Sequence, residues 1–358
     1  MNLSIGIVGL PNAGKSTLFN ALLARQIANV APYPFCTIEP NIGVVEVPDN
    51  RVKVLSEMFH PKSIVPAVVK FVDIAGLVAG ASKGEGLGNK FLAHIRECNA
   101  IAHVLRAFDN KDVTRQGEID PKGDFETIKT ELCLADLQTL EKQTQPNHSV
   151  ATKEDKKRWE VIVKLRSSLE KGIEARYTDL TDEETNIADE LFLLTSKPAI
   201  FILNVSEEDV AKSSEELMKK YNLTDFDEVI PISAKVEMEL AELSNEERKE
   251  FLKELGLKES GLERLINRGY DILGLQTFLT AGEDEVRAWT IKKETKAPQA
   301  AGTIHTDFEK GFIKAEVVSF TDLVANGNMV EAKKKGKVRL EGKEYEMKDG
   351  DVVEFKFN

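Results

Sequence analysis

The chain has 358 residues, 42% of them hydrophobic, which is enough apolar material for a full core and a length matching two or three domains. A formal net charge of −12 argues against broad non-specific binding to nucleic acid, and no apolar run is long enough to cross a membrane. The first nine residues lack the basic leader and cleavage site of a signal peptide. Three irregularly spaced cysteines, Cys36, Cys98 and Cys133, fit neither a disulfide framework nor a zinc site, so they read as free thiols of a reducing, cytoplasmic compartment.

In chain order, an apolar run at Leu3–Gly9 precedes a helical pattern from Gly14 to about Ala24. Val44–Val47, Ala67–Asp73 and Ile101–Phe108 then read as strands and Asn89–Cys98 as a helix, the alternation of a doubly wound α/β sheet. It resumes only at Ala199–Asn204 and Val229–Ser233. The interruption holds two helical runs, Phe125–Leu140 and Trp159–Ile173. Ile128, Leu132 and Ala135 share one face of the first, and Trp159, Ile162, Leu165, Leu169 and Ile173 one face of the second. A turn around Pro146 separates them. An antiparallel helical hairpin inserted into the α/β domain is the expectation, and two ordinary core helices of that domain the alternative.

From Leu273 the texture changes to short strands and turns at Thr290–Lys292, Phe312–Phe320, Lys337–Leu340 and Asp351–Phe357, as in a small α+β domain. The expected division is therefore residues 1–120 and 196–272 for a discontinuous nucleotide-binding domain, 121–195 for the hairpin and 273–358 for the C-terminal domain. Residues 151–177 carry a net +3 and residues 275–358 a net −1, so the acidity lies mainly in the nucleotide-binding part, leaving the other two to approach a polyanion. Lys333 to Lys337 reads either as a solvated turn or as a phosphate-contacting loop.

Gly9-Leu10-Pro11-Asn12-Ala13-Gly14-Lys15-Ser16-Thr17 fits Gly-x-x-x-x-Gly-Lys-[Ser/Thr] between an apolar strand and a helix, the context that a phosphate-binding loop requires. Its backbone N–H groups wrap the phosphates, Lys15 neutralises terminal phosphate charge and Ser16 offers a hydroxyl to Mg2+. Asp73 ends the next buried strand, where a carboxylate reaches the magnesium shell, and Gly76 offers an N–H to the γ-phosphate. Gly80–Gly88 is a glycine-rich loop suited to respond to that phosphate. Thr37 is the candidate for the second γ-phosphate sensor and for a magnesium contact; an ordinary loop threonine is its alternative. Asn204-Val205-Ser206-Glu207 and Ser233-Ala234-Lys235 each end a buried strand and address the base, as in guanine-nucleotide-binding proteins. Those proteins have Asn-Lys-x-Asp at the first of these. Here Val205 stands for the lysine and Glu207 for the aspartate, so the guanine contact is lost or displaced.

These motifs, together with Ala297–Gly302 and His305–Gly311, resemble the YchF/Obg-like ATPases of the translation-factor class over essentially the whole chain. The resemblance implies a P-loop α/β domain, an inserted coiled coil and a C-terminal β-grasp-like TGS domain. It further implies an ATP hydrolase that prefers ATP to GTP and associates with the ribosome, as a large subunit or 70S-type particle, and with RNA. The chain is expected to be a monomer. Leu77 replaces the glutamine that orients water in Ras-like proteins, and no general base is named; His94 and His103 read as packing or surface residues. Some members of the class with asparagine at the position of Asn12 hold K+ beside the phosphates, and a plain P-loop asparagine is the alternative. Two other readings of function are a small-molecule kinase and a non-catalytic, ATP-gated RNA- or ribosome-binding protein.

Overall fold

A computed structural model describes residues 3–28, 41–74, 88–109, 119–147, 149 and 151–358. The first half runs β1 (Ser4–Val8), α1 (Lys15–Ala28), β2 (Ile42–Glu46), α2 (Asn50–Phe59), β3 (Ser63–Val65), β4 (Val68–Asp73), α3 (Asn89–Glu97) and β5 (Ala100–Ala107). Then come α4 (Pro121–Glu141), α5 (Lys153–Glu170) and α6 (Asp182–Asp189), followed by β6 (Ala199–Val205), α7 (Ser214–Lys220), β7 (Val229–Ile232), α8 (Ala234–Glu242), α9 (Asn245–Glu254) and α10 (Gly261–Ile272). The last part is β8 (Leu275–Ala281), β9 (Glu285–Lys292), α11 (Ala297–Ile304), α12 (Thr306–Lys310), β10 (Phe312–Ser319), α13 (Phe320–Asn326), α14 (Met329–Lys334), β11 (Arg339–Glu341) and β12 (Asp351–Phe357).

The first sheet has the order β2-β4-β1-β5-β6-β7 and is parallel except for β2. β1 and β5 are buried along their whole length, as central strands covered by helices on both faces must be. Capping boxes start α5, α6, α9 and α10, each pairing a Ser or Thr N-cap with an acid three residues on, so sequence chemistry fixes where these helices begin.

α4 serves two cores. Its Ile128, Leu132 and Ala135 pack with Val8, Phe91 and Ile95 of the nucleotide-binding part, while Cys133 and Leu140 join Val161, Leu165 and Leu169 of α5. Both expected helices are present, and the first is also an ordinary layer of the α/β unit. Ile173 lies beyond the end of α5 and is exposed, because that helix stops at Glu170. Buried Asp136 on α4 accepts hydrogen bonds from the N–H groups of Leu194 (2.7 Å) and Thr195 (2.8 Å) and from the Thr195 hydroxyl (2.6 Å). It thereby pins the returning chain just before β6; burial pushes its carboxyl pKa up, against the pull of these donors.

The second sheet has the order β11-β10-β12-β8-β9-β3, and its edge strand β3 comes from the first hundred residues, parallel to β9. One buried cluster runs from Ile5 and Phe71 of the first sheet to Leu279 and Val352 of the second. α10 crosses between them at Gly269, where a Cβ would stand 2.5 Å from Ile5 Cδ1. Arg51 on α2 is bonded to Asp49 and reaches Asp349 at 2.7 Å, a further tie between the halves. No helix among the described residues is long and apolar enough to cross a membrane. Cys98 and Cys133 are buried free thiols, and Cys36 lies outside the described residues.

Candidate nucleotide-binding site

The loop between β1 and α1 has positive φ at Asn12 (64°) and Gly14 (92°), a geometry that lets successive N–H groups converge on an anion. Sterics demand the glycines. A Cβ at Gly9 would lie 2.6 Å from the Val104 carbonyl oxygen, and one at Gly14 would lie 2.0 Å from Asn204 Nδ2. Lys15 is buried, and its Nζ donates to the Leu10 carbonyl at 2.7 Å across the loop. Burial lowers its ammonium pKa, and the negative charge of Asp73 works against that shift. Ser16 and Thr17 are exposed on the first turn of α1, and Asp73 is buried at the end of β4. Ser16 thus offers an open hydroxyl and Asp73 a buried carboxylate, oxygen ligands of the kind that Mg2+ takes, while the Lys15 ammonium suits a phosphate oxygen.

The other end of the cleft is built by β6 and β7. Asn204, buried and in register with Ile232, donates from Nδ2 to the Ala13 carbonyl at 2.9 Å and accepts at Oδ1 from the Ala234 N–H at 3.0 Å. Ser233 is buried at the start of α8. Glu207 is half exposed, with Oε2 3.6 Å from Nζ of Lys235, so the acid and the lysine of the two base-end motifs face one another. Val205, although it borders the cleft, is 2% exposed and packs with Leu105 and Leu203. The cleft has a volume of about 580 Å³.

A family model described as "50S ribosome-binding GTPase" matches residues 4–135, and a second, YchF-GTPase_C, described as a protein of unknown function, matches residues 275–358. The chain is 53% identical to the "Ribosome-binding ATPase YchF" of Bacillus subtilis, with 100% of each covered. It is 45% identical to the "Obg-like ATPase 1" of Xenopus laevis, covering 100% of this chain and 93% of that one. The solved structure of the Schizosaccharomyces pombe YchF GTPase matches with a TM-score of 0.91 and 40% identity, over 99% of this chain and 98% of that one. The chain belongs to the YchF family. Its fold is accordingly the α/β P-loop architecture with the C-terminal sheet of that family.

Within this YchF-family fold, Gly14, Thr17, Asn204, Val205, Glu207, Ser233 and Ala234 line one cleft, Ala13 is tied to it through Asn204, and Asp73 acts electrostatically on Lys15, whereas Asn12 and Ser16 are exposed on the adjoining loop and first turn of α1. Thr37, Gly76 and Leu77 lie outside the described residues. Phe108 and Asp109 also line the cleft, and no motif in the sequence marks them; the one signal is an aromatic residue directly after the wholly buried β5. Arg106 fixes this corner by donating to the Phe108 carbonyl at 3.2 Å.

His103 is wholly buried, stacked on Phe201 and edge-on to Phe125, with neither ring nitrogen hydrogen-bonded. Burial, reinforced by the charge of Arg176, lowers its pKa to about 3, so it packs as a neutral ring. The two lysine clusters are more neutralised than their sequence implies. Lys157 pairs with Glu183 and Arg158 with Glu190, while Lys333 pairs with Glu316, Lys334 with Glu331 and Lys337 with Asp322.

Proposed function

We propose that the chain is a magnesium-dependent ATPase that acts as a nucleotide-controlled switch and binds the ribosome. The observation that carries this reading is the Asn204 bridge, which joins a phosphate-binding loop to a base-binding corner and so forms a continuous nucleotide cleft. The relatives' names, a ribosome-binding ATPase and an Obg-like ATPase, support the choice of ATP and of the ribosome.

In this reading the N–H groups of Asn12 to Thr17 hold the phosphate chain. Lys15 leaves the Leu10 carbonyl for the β- and γ-phosphates and stabilises the charge that develops on the leaving oxygen. The Ser16 hydroxyl, Asp73 and Thr37 would hold Mg2+, which would supply further charge neutralisation there. Gly76 contacts the γ-phosphate, so that Thr37 and Gly76 sense its loss. Asn12, exposed on the loop, is the residue that would hold K+. At the base end, Asn204 keeps one unused N–H for the purine, Ser233 and Ala234 border it, and Phe108 offers a ring face.

GTP binds less well. Guanine presents a ring N–H and an amino group that suit an aspartate, and Glu207 is a methylene longer and faces Lys235. Residues 1–120 and 196–272 carry this chemistry, while the insert at 121–195 and the TGS-like part at 273–358 meet the ribosome. A second, non-catalytic reading has one observation in its favour: Leu77 cannot orient an attacking water.

Direct titration with ATP and GTP, and ADP and phosphate release with and without purified ribosomes, test these points together. ATP is expected to bind roughly tenfold more tightly than GTP, about 1.4 kcal/mol, with phosphate release that changes on ribosome addition. Binding without any phosphate release selects the non-catalytic reading.

A further inference from the structure

Phe192 forms the turn after α6 with its backbone in the left-handed region (φ 50°) and its side chain largely in solvent, 76% exposed. That backbone crowds a Cβ against the following carbonyl, so glycine or asparagine adopts it more readily than any bulky residue. The surroundings enforce the conformation. The Phe192 N–H donates to the Asp189 carbonyl at 3.2 Å, Leu191 and Leu193 on either side are buried in the insert core, and Asp136 holds the next two N–H groups. A large aromatic ring is therefore held outward on strained backbone, where packing within the chain does not call for it.

The charge around it selects the partner. Residues 182–190 contain five carboxylates and no Lys or Arg, and residues 151–195 as a whole hold eight Lys/Arg against eleven Asp/Glu. The basic residues of α5 that face α6 are taken up in pairs, Lys157 with Glu183, Arg158 with Glu190 and Lys164 with Glu184. Asp182 and Asp189 are exposed and carry no ion pair among the described residues. With those pairs formed, the charge left over on α6 is that of Asp182 and Asp189, a negative rim that disfavours a phosphate backbone and favours a cationic peptide surface.

We infer that Phe192 and this acidic rim are a docking point for a protein that offers an apolar pocket bordered by Lys or Arg, and that on the ribosome this partner is a ribosomal protein. The inference rests on the ribosome-binding reading above. It is tested by co-sedimenting the full chain with purified ribosomes in Mg-ATP, as wild type, Phe192→Asn and Phe192→Trp. Phe192→Asn is expected to weaken association about tenfold or more, with a melting temperature unchanged or raised because asparagine suits the left-handed backbone. Phe192→Trp is expected to retain binding. A photoreactive phenylalanine analogue at position 192 is expected to label a ribosomal protein. Wild-type association by Phe192→Asn, or labelling of ribosomal RNA alone, overturns the docking point. Failure of the wild-type chain itself to sediment removes the ribosome reading, and the docking point with it.

Discussion

Asn204 and Ala13, 191 positions apart, are joined by a 2.9 Å hydrogen bond from the Asn204 carboxamide to the Ala13 carbonyl, while the same carboxamide accepts from Ala234. The loop after β1 and the ends of β6 and β7 are thus tied together through one side chain. Asn204→Ala leaves a buried carbonyl and a buried N–H without partners, at about 1–3 kcal/mol each. Lower thermal stability and at least tenfold weaker ATP binding are expected together, read by melting and by titration. Full-strength ATP binding by the variant would contradict the bracing role.

Glu207→Asp shortens the acid that faces Lys235 and brings it nearer the aspartate geometry that guanine favours. The preference for ATP should narrow by several-fold in parallel titrations of the two nucleotides. Adding Val205→Lys should push it further toward GTP at a stability cost of a few kcal/mol, because Val205 is buried among Leu105 and Leu203. An unchanged nucleotide ratio in both variants would locate discrimination elsewhere in the cleft.

His103 gives the fold an acid sensitivity of definite sign. Its folded pKa of about 3 lies below the ordinary value of 6.5, so its contribution to stability is present above pH 6.5 and is lost as the pH falls toward 3. The loss runs at up to about 1.4 kcal/mol per pH unit. His103→Phe suits the Phe125–Phe201 surroundings and cannot be protonated. Urea unfolding at pH 7.5 and pH 5 should show wild type losing roughly 2 kcal/mol more than the variant between the two; equal losses would mean that the ring is not buried as a neutral group.

Asp136→Ala deprives two buried backbone N–H groups and the Thr195 hydroxyl of their acceptor. A stability loss of about 3–5 kcal/mol is expected in denaturant titration, together with faster proteolysis between α6 and β6. A loss below about 1 kcal/mol would show that the segment is held mainly by the packing of Leu193 and Leu194.

What was legible in the sequence is what depends on local chemistry. The Gly9–Thr17 loop, the strand ends at Asp73, Asn204 and Ser233, and the helices on either side of Pro146 follow from steric demands, buried runs and caps within a few residues. β8 carries no period-two signal, because Leu275 to Leu279 is buried without alternation. The pairing of β3 with β9 joins residues more than two hundred positions apart, and no local pattern encodes it. Charge misled for the same reason: Lys157, Arg158 and Lys333 look like open basic patches along the chain, but folding brings Glu183, Glu190 and Glu316 beside them.

Lys15 carries the central claim, since it stands between Leu10 and the phosphate site with Asp73 nearby. Steady-state release of ADP and phosphate from Mg-ATP should therefore be measured for wild type and Lys15→Ala side by side, with melting curves to establish that both are folded. The loss of an ammonium that stabilises the transferring phosphate should lower turnover by about two to four orders of magnitude, whereas equal turnover in the two proteins would contradict the ATPase assignment.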